Sequence, residues 1–270
     1  MFKKVKCNHC EHRYDETFKE CPKCHSLNGQ LDPNFRNIQM LAFGKQLGLF
    51  AAGSFGFSIL GVIISLIISL FNTSSVSNTL LNMILNAVVY ALLFMILFAI
   101  VNVDIKKLLK SFKKWQPYVA AVLCFLTIIL FGMIYSMILQ LAGVQISGND
   151  NQQAIDVTSE SYPFTALIIF GFIGPICEEL TYRVGLFSFF KRINKYLAYA
   201  VTIIVFTLIH FNFDMANITN ELLNLPYYIF AAFALSFMYD NYGFAGSVTA
   251  HILNNVISLI PASVILGVFH

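Results

Sequence analysis

Apolar residues are grouped in long runs after residue 46, and short polar segments separate these runs. A helix needs roughly 20 apolar residues to cross a hydrocarbon core about 30 Å thick. Counting on that basis predicts an all-α polytopic membrane helix bundle with about seven transmembrane helices. The predicted spans are Leu47 to Phe71, Thr79 to Val101, Tyr118 to Gly143, Tyr162 to Phe190, Tyr196 to Phe213, Leu225 to Tyr239 and Gly243 to Phe269.

Two polar or helix-breaking features refine this pattern. Gly174-Pro175 interrupts the fourth span and is expected to kink it, because proline lacks the N–H that an α-helix uses. The polar residues Gly148 to Glu160 are predicted to form an extracellular loop.

The composition supports a membrane protein. Hydrophobic residues make up 57% of the chain and charged residues 11%, whereas soluble domains are roughly 45 to 50% apolar and about 25% charged. This excludes an ordinary soluble globule, and membrane lipid is the expected environment. The net charge of +3 does not indicate a nucleic-acid partner, because the basic residues lie in loops beside the apolar spans, and none is expected.

The charges also predict an orientation. Of the 17 Lys and Arg residues, 16 fall on one predicted side of the membrane, and Arg183 lies inside a span. The outer loops contain acidic residues but no Lys or Arg. The positive-inside rule therefore predicts a cytoplasmic N-terminus and cytoplasmic loops at Val103 to Pro117 and Lys191 to Lys195. The first 40 residues contain no apolar run, so no cleavable secretory signal is expected.

The N-terminal segment contains two C-x2-C pairs separated by ten residues: Cys7 and Cys10, then Cys21 and Cys24. Four thiolates can hold one tetrahedral structural zinc and so fold a segment too short for a core of its own. Two disulfides are the alternative, which a reducing cytoplasm disfavours. A second alternative replaces one thiolate with His9, His12 or His25. Cys124 and Cys177 are expected to be packing residues within spans.

The domain organisation follows from this division. Residues 1–28 are predicted to form a cytoplasmic zinc ribbon, residues 29–46 a linker and residues 47–270 the transmembrane bundle. The head resembles short zinc ribbons at the N-termini of many bacterial membrane proteins. The resemblance implies the plasma membrane of a bacterium and a structural or docking role for the head.

Ionisable side chains inside the spans are the main candidates for function, because a charge at bilayer depth costs several kcal/mol. They are concentrated in three places: Glu178, Glu179 and Arg183 in the fourth span, His210 after Phe206 in the fifth, and His251 with Asn255 in the seventh.

Helical spacing separates these residues into groups. Glu179 and Arg183 are four apart and share a helix face, so they can pair. Glu178 lies about 100° round the helix and is left to face the bundle interior. Glu178, His210, His251 and Asn255 all lie roughly 15 to 22 Å along their helices from the predicted cytoplasmic ends. The sequence therefore predicts that a carboxylate and two imidazoles from separate spans meet at one pocket.

The motifs E-E-x-x-x-R, F-x-x-x-H and H-x-x-x-N, in this order on late spans, resemble those of the CPBP family. This family contains the type II CAAX prenyl proteases and the bacteriocin-processing or self-immunity proteins also called Abi. The resemblance covers residues 162–270. It implies an intramembrane endopeptidase that cleaves a membrane-associated or secreted peptide or protein precursor.

The resemblance also implies roles for individual residues. Glu178 is the expected general base, His210 shares in orienting the water, and His251 and Asn255 donate to the oxyanion. Glu179, Arg183 and Phe206 are expected to support them. A competing account uses Glu178, His210 and His251 as ligands of a catalytic zinc. The sequence leaves both accounts open.

Two other classes of function remain open at this stage. The first is a non-proteolytic scaffold for bacteriocin self-immunity or for binding a membrane sensor kinase. The second is a transporter with a proton relay, which predicts inverted repeats or paired broken helices that the sequence does not display. For a protease, a secreted peptide precursor, pheromone or bacteriocin is a better expected substrate than a prenylated protein.

Overall fold

The computed structural model describes residues 4–7, 10–15, 18, 20–26, 41–71 and 75–260. Several sequence predictions lie partly or wholly outside these residues. They include parts of the predicted zinc ribbon at residues 1–28, with His9 as an alternative ligand, residues 29–40 of the linker, and residues 261–269 of the seventh span.

The described chain consists of a two-stranded ribbon followed by helices. The strands are β1 (Lys4–Lys6) and β2 (Arg13–Asp15), and the helices are α1 (Phe43–Ser69), α2 (Asn78–Val101), α3 (Gln116–Leu141), α4 (Asp150–Ser161), α5 (Pro163–Lys191), α6 (Lys195–Leu208) and α7 (Ile218–Ser258). Short helical turns at Ile105–Leu108 and Leu109–Lys113 connect α2 to α3. By length and composition, five of the described helices can cross a membrane: α1, α2, α3, α5 and α7. The predicted all-α multi-pass fold is confirmed.

Helix α7 is two arms that fold back on each other. The Tyr227 hydroxyl lies 3.3 Å from Asn254 Oδ1 although 27 residues separate them. A straight helix would place these residues about 40 Å apart. The chain reverses at Gly243, whose φ of 71° is outside the helical region and suits glycine. The reversal falls at the predicted boundary between the sixth and seventh spans.

Helix α5 continues through Gly174-Pro175 as one helix, and the kink expected there stays a prediction. Leu167–Ile173 and Glu179–Phe187 on either side are π-helical. A π turn bonds each N–H one residue further back than an α turn, so the helix accommodates the missing N–H of Pro175 by widening.

Helix α5 is the innermost element of the bundle. All nine residues of its second π segment, Glu179–Phe187, are buried. Helix α1 packs closely against it, because a Cβ built on Gly185 would lie 2.9 Å from the backbone nitrogen of Phe50. The ionisable residues of the fourth span are therefore held by the most enclosed helix.

A buried carboxylate organises the end of the bundle at which α7 reverses. Asp240 is fully buried and forms an ion pair with Lys191, and Lys195 Nζ lies 2.9 Å from its second oxygen. The Tyr199 hydroxyl donates to that second oxygen at 3.0 Å. The end of α5 and the start of α6 are thus fastened to the α7 turn.

Further ion pairs lie on the connections at this end. Asp104 is 2.6 Å from both Lys107 and Lys45. These ammonium groups, Lys107 first, hold the pKa of Asp104 below its usual range. Arg192 lies 3.9 Å from Glu20 of the head. Basic side chains that the sequence places in separate inner segments are therefore brought to one end.

Helix α4 replaces the extracellular loop predicted for Gly148 to Glu160. Asn149 caps the helix, and its side chain accepts a hydrogen bond from the Gln152 backbone N–H. Asp150 adds a negative charge in the first turn, which a helix N-terminus favours. The prediction of a loop was wrong because it rested on polarity alone.

Candidate active site

Glu178 lies between the two imidazoles. Its Oε2 atom is 3.7 Å from His251 Nε2 and 4.0 Å from His210 Nε2. This oxygen is buried and accepts no hydrogen bond from the described residues. The structure thus brings together three of the residues that the sequence singled out, on α5, on the turn after α6 and on the second arm of α7.

Hydrogen bonds at the opposite ring nitrogens orient both imidazoles. His210 Nδ1 lies 2.8 Å from the Phe206 carbonyl oxygen, and His251 Nδ1 lies 2.9 Å from Glu179 Oε1. A carbonyl or carboxylate oxygen only accepts, so both Nδ1 atoms carry the hydrogen. When either ring is neutral, its Nε2 presents a lone pair toward Glu178.

Glu179 and Arg183 form the ion pair that their spacing predicts. Arg183 Nη1 lies 3.1 Å from Glu179 Oε1, and both side chains are fully buried. The same carboxylate oxygen contacts His251. Sequence spacing did not reveal that second contact, which makes Glu179 an anchor for the imidazole as well as the partner of Arg183.

Phe206 packs among the charged groups. Its ring centroid is 4.7 Å from that of His210 and 6.0 Å from that of His251. The Arg183 guanidinium stands 4.2 Å above its face, within the range of a cation–π contact. Phe206 therefore separates the buried ion pair from His210.

A cavity of about 750 Å³ opens beside these groups. Glu178, His210 and His251 line it, and polar side chains of other elements surround them, including Asn82 and Asn86 of α2. Residues of helix α4 also line the cavity. A cavity of this size with converging polar groups has the character of a binding site.

Asn255 also lines the cavity, one helical turn after His251. Its Nδ2 donates a hydrogen bond of 3.0 Å to the Phe170 carbonyl oxygen. An amide nitrogen carries two hydrogens, so this bond fixes the side chain and leaves the second hydrogen for another acceptor.

The four head cysteines form a candidate metal centre. Their sulfur atoms all lie within 4.8 Å of one another, and the Cys7–Cys24 and Cys10–Cys21 distances are each 3.6 Å. Tetrahedral zinc with bonds of about 2.3 Å places its sulfurs about 3.8 Å apart. The spacing is that of a zinc site with four thiolate ligands, and these cysteines can hold the ion.

The three residues suggested for a catalytic zinc fit the ion less well. Bonds of about 2.0 to 2.2 Å require ligand atoms about 3.4 Å apart, whereas the Glu178 distances are 3.7 and 4.0 Å. In the part of the chain that the structure describes, only the four-cysteine group meets the spacing of a metal site. One water with two hydrogen bonds of about 2.8 Å can span these gaps, with an angle of about 80 to 90° between the bonds.

Sequence reasoning missed two residues that contact His210. Asn149 Nδ2 donates to the His210 carbonyl oxygen at 2.6 Å. The Tyr228 ring stacks on the imidazole with centroids 4.9 Å apart. Asn and Asp are favoured at helix N-termini, so the Asn149-Asp150 pair could have indicated a helix start, but the contact with His210 has no local signature.

Comparison with known proteins gives one family match. The Rce1-like family, described as type II CAAX prenyl endopeptidase, matches residues 160–257. The match includes all three motifs. No match is found among the curated proteins or among the solved structures.

Proposed function

Because residues 160–257 match the Rce1-like family of type II CAAX prenyl endopeptidases, we propose that this chain is a membrane protease. In the proposed mechanism, a water activated by Glu178 hydrolyses the substrate. The observation that carries this mechanism is the position of Glu178 Oε2 within 4.0 Å of both histidine Nε2 atoms.

The first step is removal of a proton from the water. A water between Glu178 and His210 donates one hydrogen to the carboxylate and the other to the His210 Nε2 lone pair. This arrangement points the water oxygen away from its two acceptors and toward the cavity. Glu178 takes the proton as the oxygen attacks the peptide carbonyl, and a positioned base of this kind contributes about 10² to 10⁴ in rate.

The second requirement is stabilisation of the tetrahedral oxyanion. The remaining N–H of Asn255 is available for this purpose. His251 contributes a second hydrogen bond when both of its ring nitrogens carry hydrogen, with Glu179 balancing the charge. One such donor typically contributes about 3 kcal/mol to transition-state stabilisation. The protonated Glu178 then returns its proton to the departing amine.

The proposed substrate is a membrane-associated or secreted peptide precursor. The cavity lining supports this class, because amide side chains such as Asn82, Asn86 and Gln152 line the cavity with the proposed catalytic groups. Amides can pair with the N–H and C=O groups of an extended peptide. The polar helix α4 also lines the cavity. We therefore propose that a polar segment of the substrate, next to the membrane, enters the cavity.

Comparative peptidomics of membranes tests the protease function. Cells with the wild-type chain should contain cleaved peptides that disappear in Glu178→Gln, because an amide cannot take the proton from water. Glu160→Gln, at an exposed position of α4 outside the cavity lining, is the matched control and should leave the peptides unchanged. Unchanged peptides in both Glu178→Gln and His210→Ala would overturn the mechanism and favour a scaffold that keeps the pocket without using it.

Metal analysis of the purified full-length chain separates the water mechanism from the zinc alternative. We expect one zinc per chain in the wild type and in His210→Ala, and none after Cys10→Ala with Cys24→Ala. A second zinc that is lost only in His210→Ala or His251→Ala would replace the water mechanism with a metal-dependent one.

A further inference from the structure

The position of His210 is not fixed by a regular helix. Helix α6 ends at Leu208, and His210 lies in the turn that follows. Its Nδ1 contact with the Phe206 carbonyl holds the ring to the end of α6. The backbone beyond that point needs another anchor if the Nε2 atom is to stay near Glu178.

Asn149 provides that anchor from a different part of the chain. It is 1% exposed, and its Nδ2 donates to the His210 carbonyl oxygen at 2.6 Å. Its Oδ1 accepts hydrogen bonds from the Tyr228 hydroxyl at 3.0 Å and from the Gln152 backbone at 3.0 Å. The side chain thus joins the start of α4, the turn after α6 and the first arm of α7.

Tyr228 extends the same contact to the imidazole ring. Its ring lies 24° from the His210 ring plane at a centroid distance of 4.9 Å. Asn149 therefore holds the backbone of His210 directly and the stacking partner of its ring through one hydrogen bond.

Glu221 secures the surroundings of this anchor. It is 1% exposed, and its two oxygens accept from the backbone N–H of Asp150 at 2.8 Å and of Asn212 at 3.0 Å. A single carboxylate therefore holds the residue after Asn149 and the second residue after His210. The two segments have little freedom to separate while these bonds persist.

We propose that Asn149 is a positioning residue for His210, and that docking of α4 through Asn149 sets the distance between His210 Nε2 and Glu178. This positioning role rests on the proposed protease function and extends it. It implies that water activation by Glu178 and His210 requires α4 to be docked through Asn149. A helix cap that has no effect on His210 is the alternative role for Asn149.

Two substitutions separate these roles. Asn149→Ser keeps a good helix-capping oxygen, but its side chain is too short to reach the His210 carbonyl. Asn149→Ala removes both functions. Asn220→Ala is the matched control, because Asn220 ties Ser147 and Gly148 to α7 without contacting His210. Tyr228→Phe removes only the hydroxyl contact and serves if either Asn149 variant fails to fold.

Acylation by diethyl pyrocarbonate is a readout that does not depend on protease activity. The reagent attacks a free imidazole nitrogen, and mass spectrometry of the full-length protein's peptides gives separate rates for His210 and His251 across pH. We expect the His210 rate to rise about fivefold or more in Asn149→Ser and Asn149→Ala, the effect of losing about one buried hydrogen bond. The His251 rate and both rates in Asn220→Ala should stay within about twofold of wild type.

Turnover of a peptide identified by the peptidomic comparison gives the second readout. In Asn149→Ser we expect kcat to fall about tenfold with KM nearly unchanged, because a small displacement of a reacting group costs rate rather than binding. Unchanged acylation of His210 in both Asn149 variants would overturn the proposal. Changed acylation in a chain that shows no cleavage would leave the positioning role standing and remove the protease mechanism instead.

Discussion

Glu178 and Glu179 are adjacent in the chain, yet their carboxylates have opposite surroundings. Glu179 is fully buried, with Arg183 at 3.1 Å and His251 at 2.9 Å from one oxygen. The side chain of Glu178 is 20% exposed and faces the cavity. The Glu179 carboxylate is therefore held by its neighbours, whereas the Glu178 carboxylate remains available to a reacting water.

This difference predicts that stability and activity separate. Glu178→Gln should change the free energy of unfolding by less than about 0.5 kcal/mol, because no strong protein contact is lost. Glu179→Gln should lower it by about 3 kcal/mol or more, because the Arg183 charge loses its buried partner. Thermal unfolding of the two variants in the same detergent measures the difference. Equal losses would contradict the assignment of separate environments.

The approach of Glu178, His210 and His251 could be predicted from sequence because depth along a helix is a matter of counting residues. The contact between Glu179 and His251 could not, because it depends on how two helices are rotated about their axes. The contact between Asn149 and His210 joins residues 61 positions apart and follows no periodic pattern. The sequence thus predicts which groups meet, while tertiary packing decides which partner holds each ring nitrogen.

At the scale of elements, α1 approaches α5 closely beside the site. A Cβ built on Gly53 of α1 would lie 1.8 Å from Thr181 Oγ1 on α5. Thr181 is one turn from Glu178 and already donates to the Cys177 carbonyl. A small residue on α1 is therefore a condition for the position of the helix that carries Glu178.

Replacing this glycine should disturb packing, while replacing a second glycine of the same helix should not. Gly53→Ala is expected to lower the free energy of unfolding by about 1 to 3 kcal/mol through overpacking. At Gly61, a Cβ would meet no atom within 4 Å, so Gly61→Ala should stay within about 0.5 kcal/mol of wild type. Thermal unfolding in detergent compares them, and an equally stable Gly53→Ala would mean that α1 and α5 are further apart.

Element bounds were predictable where a span is apolar and uninterrupted. The second predicted span, Thr79 to Val101, differs from Asn78–Val101 by one residue. Predictions were poorer where local and tertiary effects compete. Pro175 was expected to kink α5, and the structure adds π turns on both sides of it, which the sequence pattern did not predict.

At the scale of the whole molecule, charge divides the two ends of the bundle. Lys45, Lys107, Lys191 and Lys195 gather with Asp104 and Asp240 at one end. The opposite end has Asp150 and Glu221 in its hydrogen-bond network and no Lys or Arg in the corresponding loops. The positive-inside rule leads to the proposal that the basic end and the cysteine head are cytoplasmic.

Cysteine labelling checks this orientation. An impermeant thiol reagent added to intact cells should not label Lys110→Cys, because that position lies on the proposed inner side. Ser159→Cys on α4 should be labelled without permeabilisation. Labelling of Lys110→Cys in intact cells, with protection of Ser159→Cys, would invert the topology.

The buried carboxylate in the α7 turn has a consequence for biosynthesis. Asp240 is made about 50 residues after Lys191, so during translation the earlier helices exist before the counter-ion of this ammonium group has been synthesised. A nascent chain that stops before residue 240 retains these lysines but never gains the carboxylate that neutralises them inside the completed bundle. The contacts that fasten the end of α5 and the start of α6 to the α7 turn can therefore form only after residue 240 has been synthesised.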